Sequence, residues 1–271
     1  GRSLKDFKIV INFGIKTGYN EAFIINEQTK GELVSKSPDS INIIKPILRG
    51  RDLKKYTYEF SGMYLLNTHN GVVKNNIERI KVKEDYPLIY DYLASFMPQV
   101  EQRQDKGKHW TNLRNCAYLE DFEKPKIIWG EISDKPKFAF DDSNYYAEAT
   151  TFLMTGEKLK YLLGILNSKL SEWYFNQIST TTGMGTNRWK KYKIEIFPIK
   201  EPTEIEESSL EKLVDEILTA KKGDRHADTS ELEKAIDRLV YKLYQLTYHE
   251  VKIIDPEFAL TEQEYTAIKI E

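Results

Sequence analysis

The stretch "KIVINFGIKTGYNEAFIIN", residues 8–26, reads as strand, turn, strand. β-Branched and aromatic residues fill 8–13 and 21–26, and Gly14 and Gly18 frame a polar turn between them. The signal recurs in "GMYLLNT" (62–68), "KPKIIWGEI" (124–132), "KFAF" (137–140) and "TTFLMT" (150–155), so the first 155 residues read mostly as strands with loops. Two interruptions have helical spacing. Segment 84–104 carries Leu88, Tyr92, Leu93, Phe96 and Val100, with Pro87 suited to a first turn and Pro98 to a kink or an end. Segment 157–176 places Leu159, Leu162, Leu163, Leu166, Leu170, Trp173 and Tyr174 on one face.

After a strand-like "KIEIFPI" (193–199) the pattern becomes wholly helical. The polar "EPTEIEESS" reads as a linker, and Ser208 with Glu211 and Ser230 with Glu233 read as capping boxes. Apolar stripes follow each box, and two shorter helices open at Thr247 and Thr261. The expected architecture is α+β: a mixed-strand recognition domain over residues 1–200, then a C-terminal helical segment over 201–271.

The chain has 271 residues, 40% hydrophobic and 30% charged, which excludes a disordered class. No apolar run reaches the length of a membrane span, so a soluble, cytoplasmic protein with no membrane partner is expected. The lone Cys116 excludes an internal disulfide and a Cys-cluster zinc site. The chain opens on Gly1, Arg2, Ser3 rather than Met, and the expectation is a fragment of a longer polypeptide. Its net charge of −2 hides an asymmetry. Residues 194–271 hold 10 Lys and Arg against 19 Asp and Glu, net −9, leaving 30 against 23, net +7, for residues 1–193. Lys45, Arg49, Arg51, Lys54 and Lys55 cluster with only Asp52 opposing them. A basic body with an acidic tail points to a polyanionic partner for the first part.

Most enzyme chemistry lacks a pattern here. His69, His109, His226 and His249 lie far apart without ligand spacing, so no metal is expected. There is no Gly-x-Ser-x-Gly elbow, and "GIKTG" departs from the Walker A order. One alternative stays open. Asp39 after Pro38, then Asp52 and Lys54, matches the loose Pro-Asp, Asp-x-Lys arrangement of Mg²⁺-dependent nucleases, although Asp39 lies in a turn-like segment where Asp commonly caps. A second alternative is a dimerisation module built on the apolar stripes of the 210–246 helical pair.

"GIKTGYNEAFIIN" (14–26), "IIKPILRGRDLKKY" (43–56), "YPLIYDYL" (86–93), "HWTNLRNCAY" (109–118), "KPKIIWGEIS" (124–133) and "YLLGILNSKLSEWYF" (161–175) occur in the order found in TaqI-like C-terminal specificity domains. Over about residues 8–200 the chain resembles that family, and "LVYKLYQLT" (239–247) resembles its helical end. Such domains belong to adenine-specific DNA methyltransferases and to type IIG restriction-modification enzymes. The resemblance implies double-stranded DNA as partner and an upstream methyltransferase domain. It also implies S-adenosylmethionine and Mg²⁺ as cofactors of the parent enzyme, with none in this fragment. The Gly-rich cofactor motif and the Asn-Pro-Pro-Tyr motif of such methyltransferases are absent from this sequence, so no catalytic residue is assigned to it.

The residues themselves agree with DNA reading. In "STTTGMGTNRWKKYK" (179–193), Thr181, Thr182, Thr186 and Asn187 offer donors and acceptors, while Arg188, Lys190 and Lys191 suit phosphates. The plain alternative for this segment is a solvated hairpin loop. The turn 14–20 offers Lys16, Thr17, Tyr19 and Asn20. Arg49, Arg51 and Lys54 suit phosphate contact, unless Asp52 holds Arg49 internally. Trp110, Arg114 and Trp129 read as packing residues, and Trp189, flanked by cations, as an exposed one.

Overall fold

A computed structural model describes residues 1–179 and 186–270. Its centre is an antiparallel sheet in the order Ile9–Phe13, Thr151–Gly156, Lys126–Gly130, Ala139–Asp141. Successive side chains of a strand point to opposite faces, and here both faces are covered. Ile127, Trp129, Phe152 and Met154 enter one core, while Ile128 and Leu153 enter the other. That is why "IIW" and "TFLM" are continuously apolar rather than alternating.

On one face lie the helices Leu159–Leu166, Lys169–Ile178, Glu204–Gly223 and Ser230–Leu243. On the other face is a second four-stranded sheet, Ile24–Asn26, Met63–Leu66, Ile44–Leu48, Tyr146–Ala147, whose last pair is parallel. The helices Glu27–Lys36 and Pro87–Ala94 accompany it. The fold is therefore α+β, as the sequence pattern implied. Among the described residues no helix is long and apolar enough to cross a membrane.

Several local expectations need correction. "EAFIIN" is not one strand: Asn20–Phe23 is a helical turn, closed by the Ala22 N–H on the Tyr19 carbonyl and the Ile24 N–H on the Asn20 carbonyl, and only Ile24–Asn26 is extended. The Glu27–Lys36 helix had no expectation attached; it buries only Leu33 and is opened by the Asn26 side chain, which accepts from the Thr29 N–H at 2.9 Å. Segment 157–176 is two helices, not one. At the break Asn167 exchanges hydrogen bonds of 3.1 and 2.8 Å with the Phe138 backbone, and the Ser168 hydroxyl accepts from the Ser171 N–H to start the next helix. "KIEIFPI" forms the helical turn Lys191–Glu195 and the short strand Pro198–Ile199, since Ile194 and Phe197 are buried while Ile196 faces out. The long helix starts at Glu204, inside the expected linker, with Thr203 and Glu206 as its capping box. The boxes at Thr247 and Thr261 form as expected. The Ser230 helix starts in place, but its N-cap residue is Thr229.

The apolar stripes of the 204–223 and 230–243 helices are taken up by this core: Leu210, Val214, Ile217, Ile236, Val240 and Leu243 are buried with Ile127 and Trp129. They are not on offer for dimerisation. Polar groups fasten the same contact. The Lys55 ammonium meets Glu233 at 2.6 Å, Asp237 accepts the Lys169 backbone N–H at 2.8 Å, and the Lys169 ammonium meets Asp255 at 2.7 Å.

Burial pushes the Asp237 carboxyl up to about 6, against the opposing pull of the Lys169 N–H and of the Lys55 and Lys169 ammonium groups. A raised carboxyl favours the folded state fully below the unfolded value near 4, and that contribution is lost as pH rises through about 6. Asp237→Asn keeps the acceptor for Lys169 but removes the charge. It is expected to stabilise the protein at pH 7 by on the order of 2 kcal/mol, with the gain fading towards pH 4. Urea unfolding midpoints of both proteins from pH 4 to pH 8 check this; a constant difference across that range would contradict it.

Candidate nucleic-acid interface

Where the central sheet meets the helical turn after Leu48, a cleft of about 760 Å³ opens. Four segments distant in sequence line it, among others: Asn20 from the first turn, Arg49 to Lys54 from the basic cluster, Gly130 to Ser133, and Arg188. Two glycines also line it. Gly130 and Gly50 lie back to back, and a Cβ on Gly130 would stand 3.3 Å from the Gly50 Cα. The Ile132–Ser133 strand pairs antiparallel with Asn187–Arg188, which carries Arg188 to the cleft wall. A shallower hollow of about 440 Å³ adjoins through Asn20 and Glu148, and a further one of about 460 Å³ adjoins through Lys16 and Ala149. The turn 14–20 and residue 188 thus belong to one continuous face that extends to Arg114.

The expected DNA-contacting residues are divided by this geometry. Lys16 and Arg51 are exposed, and no ion pair holds either of them among the described residues. Asn20 is exposed in the cleft. Tyr19 is half-buried, edge-on to Phe96. Lys54 is exposed and reaches Glu59 at 3.8 Å. Arg188 pairs with Glu131 at 3.1 Å, and Lys190 lies 3.9 Å from the same carboxylate.

Arg49 is held internally. Its side chain meets Asp52 at 3.3 Å and donates to Ser61 at 2.7 Å, while Asp52 also accepts the Arg49 backbone N–H. Lys191 donates to the Ile11 carbonyl at 2.6 Å and lies 3.6 Å from Glu195, and it is not among the residues that line the cleft. Thr17 and Asn187 are buried, Thr17 at the edge of the hollow that adjoins the cleft. Asn187 donates to Asn176 at 2.6 Å and accepts from Ser179. Thr186 is half-buried; Thr181 and Thr182 lie outside the described residues.

The aromatic and arginine expectations also change. Trp189 is buried: its ring stacks on Phe175 at 3.7 Å, and its indole N–H donates to the Ser133 carbonyl at 3.1 Å. Trp129 is buried as expected, Trp110 is half-buried, and Arg114 is an exposed residue paired with Asp105 at 2.9 Å. Glu131, Lys137, Glu148 and Thr150 also line the site, and no sequence pattern singled them out. Glu148 reaches Asn20 across 128 positions of chain, a separation that no local pattern encodes.

The nuclease arrangement is not assembled. Asp52 is buried and committed to Arg49, and Asp39 is exposed on the helical turn Pro38–Ile43, away from the residues that line the cleft. Among the described residues no group of three His, Cys, Asp or Glu side chains is placed to hold a metal ion.

Comparison with known proteins adds four findings. The family model described as "TaqI-like C-terminal specificity domain" matches residues 45–199, a span that includes Arg51 and Arg188 but not the turn 14–20. The Type II methyltransferase M.MjaIV of Methanocaldococcus jannaschii is 25% identical over 263 residues, covering 90% of this chain and 84% of the relative. The structure of the Type IIL restriction-modification enzyme MmeI in complex with DNA superposes with a TM-score of 0.66 at 12% identity, over 99% of this chain and 37% of that one. The type IIG restriction endonuclease BpuSI gives a TM-score of 0.53 at 16% identity, over 95% of this chain and 32% of that one. The chain thus spans about a third of each of these two enzymes.

Proposed function

Because this chain belongs to the TaqI-like C-terminal specificity domain family, we propose that its cleft face reads a short sequence in double-stranded DNA on behalf of a longer restriction-modification enzyme. In this reading an upstream domain methylates adenine N6 with S-adenosylmethionine in the cytoplasm, and Mg²⁺ serves a nuclease part of the same enzyme. The described residues of this chain offer no cluster to hold a metal, and no step of either reaction is assigned to them. What supports the proposal is convergence. Exposed Arg51 and Arg188, exposed Asn20 and the closely packed Gly50 and Gly130 come from four remote segments and line one cleft. Phosphates engage the cations and set register, while polar side chains at the cleft meet base edges.

Binding is expected to weaken with salt by about 0.9 log units per log unit of salt for each phosphate contact. Arg51→Ala is expected to reduce that slope by about one contact and to weaken binding evenly across sequences. Lys191→Ala should leave the slope unchanged, since its ammonium is engaged with the Ile11 carbonyl. Fluorescence anisotropy of labelled duplexes between 50 and 200 mM salt, on the order of the usual range, measures both. Salt-independent binding would sink the proposal.

A further inference from the structure

We propose that Asn20 reads an adenine in the target and that Thr17, Glu148 and Thr150 are the positioning residues that fix its amide for that task; this rests on the DNA-recognition reading above. Asn20 sits in a hydrogen-bond chain whose direction is set at its Glu148 end, because an ionised carboxylate can only accept. The Tyr19 backbone N–H can only donate, and it donates to the Thr17 hydroxyl oxygen at 3.2 Å. The Thr17 hydroxyl in turn donates its proton to the Asn20 Oδ1. At the other end Glu148 takes the Thr150 N–H at 3.1 Å and the Thr150 hydroxyl at 2.6 Å on one carboxylate oxygen, and the Asn20 Nδ2 at 3.3 Å on the other. An amide turned over would set oxygen against carboxylate, so only one orientation satisfies the chain.

The anchor of this chain is part of the fold. The Ile15 N–H donates to the Ala147 carbonyl at 2.7 Å and the Gly14 N–H to the Thr151 carbonyl at 2.9 Å. A Cβ on Gly14 would stand 2.0 Å from the Glu148 carbonyl oxygen, so only glycine lets the two backbones meet. Glu148 itself is 7% exposed, whereas Asn20 is open to the cleft.

The two bonds leave the Asn20 amide one lone pair on oxygen and one N–H on nitrogen. An oxygen acceptor beside a nitrogen donor complements the N6 amino group and N7 of adenine in the major groove. Guanine presents two acceptors there and cytosine a lone amino donor, so neither satisfies both groups. Fixing the amide in advance also removes the ordering that a free side chain would have to undergo on binding.

The test is selection of duplexes from a randomised pool with the 271-residue chain and with its Asn20→Ala and Glu148→Gln variants, followed by anisotropy on the selected site. Asn20→Ala is expected to lose preference at one adenine position by about 10- to 100-fold, with the salt slope and thermal midpoint kept. Glu148→Gln, whose amide can pair with Asn20 in either orientation, should relax the same position. Replacing that adenine by 7-deazaadenine should weaken the unaltered chain to a similar degree and leave Asn20→Ala indifferent. If the selected site lacks an adenine, or keeps every adenine preference in Asn20→Ala, the assignment of Asn20 is overturned while DNA recognition stands. If the unaltered chain selects no sequence at all, DNA recognition by this face is overturned, and the Asn20 assignment with it.

Discussion

Lys126→Met is expected to lower the unfolding free energy by about 3 to 5 kcal/mol, because it leaves a buried carboxylate without its counter-charge. Lys126 and Asp141 face each other on neighbouring strands of the central sheet, both wholly buried, with 2.6 Å between ammonium and carboxylate. The other Lys126 protons go to the Phe122 carbonyl at 2.6 Å and the Lys124 carbonyl at 3.3 Å. Asp141 also accepts the Tyr58 hydroxyl and the Ser143 and Tyr145 N–H groups, each at 3.0 Å. Burial pulls the Lys126 ammonium below its ordinary range, with the Asp141 charge opposing. Methionine would fill the space and supply none of these donors. The comparison is Lys54→Met, whose exposed pair with Glu59 at 3.8 Å should matter by less than about 1 kcal/mol. Guanidinium unfolding of both variants decides it: equal small losses would mean that water reaches Asp141.

Trp189→Ala is expected to cost about 3 to 5 kcal/mol and to weaken DNA binding as well. The ring stacks on Phe175, stands edge-on to Phe138 at 5.7 Å, and donates to Ser133, while its carbonyl accepts the Trp129 indole N–H at 2.9 Å. These contacts hold the Asn187–Arg188 strand against Ile132–Ser133, and so hold Arg188 at the cleft. Trp189→Phe keeps a ring on Phe175 and loses one hydrogen bond, about 1 kcal/mol. Affinity should therefore follow the ring rather than the indole nitrogen. Denaturation together with anisotropy on the same preparations checks both effects; an Ala variant that folds with unchanged affinity would show that Arg188 is positioned by other contacts.

The α+β class was legible because hydrophobic periodicity is a local signal. "KIVINF" and "TTFLMT" became strands of the central sheet, and the helical stripes after residue 204 became the layer over it. Capping boxes at Thr247 and Thr261 were equally local, each confined to four residues. Where local patterns misled, a distant contact had prevailed. Asn167 breaks a long apolar helix by binding the Phe138 backbone, and Phe175 draws a cation-flanked tryptophan into the core.

Residue types decide from the sequence alone that this chain is α+β, a strand-rich body with a helical end, and that its cations cluster near residue 50 and near residue 190. Which of those cations face outward was decided only by the tertiary structure. Arg49 is taken by Asp52 and Lys191 by the Ile11 carbonyl, while Arg51 stays exposed. The physical reason is that burial and pairing depend on neighbours supplied by other strands. Asn20 shows it most directly: three residues away in the chain stands Thr17, but the carboxylate that orients it arrives from position 148 only when the sheet closes.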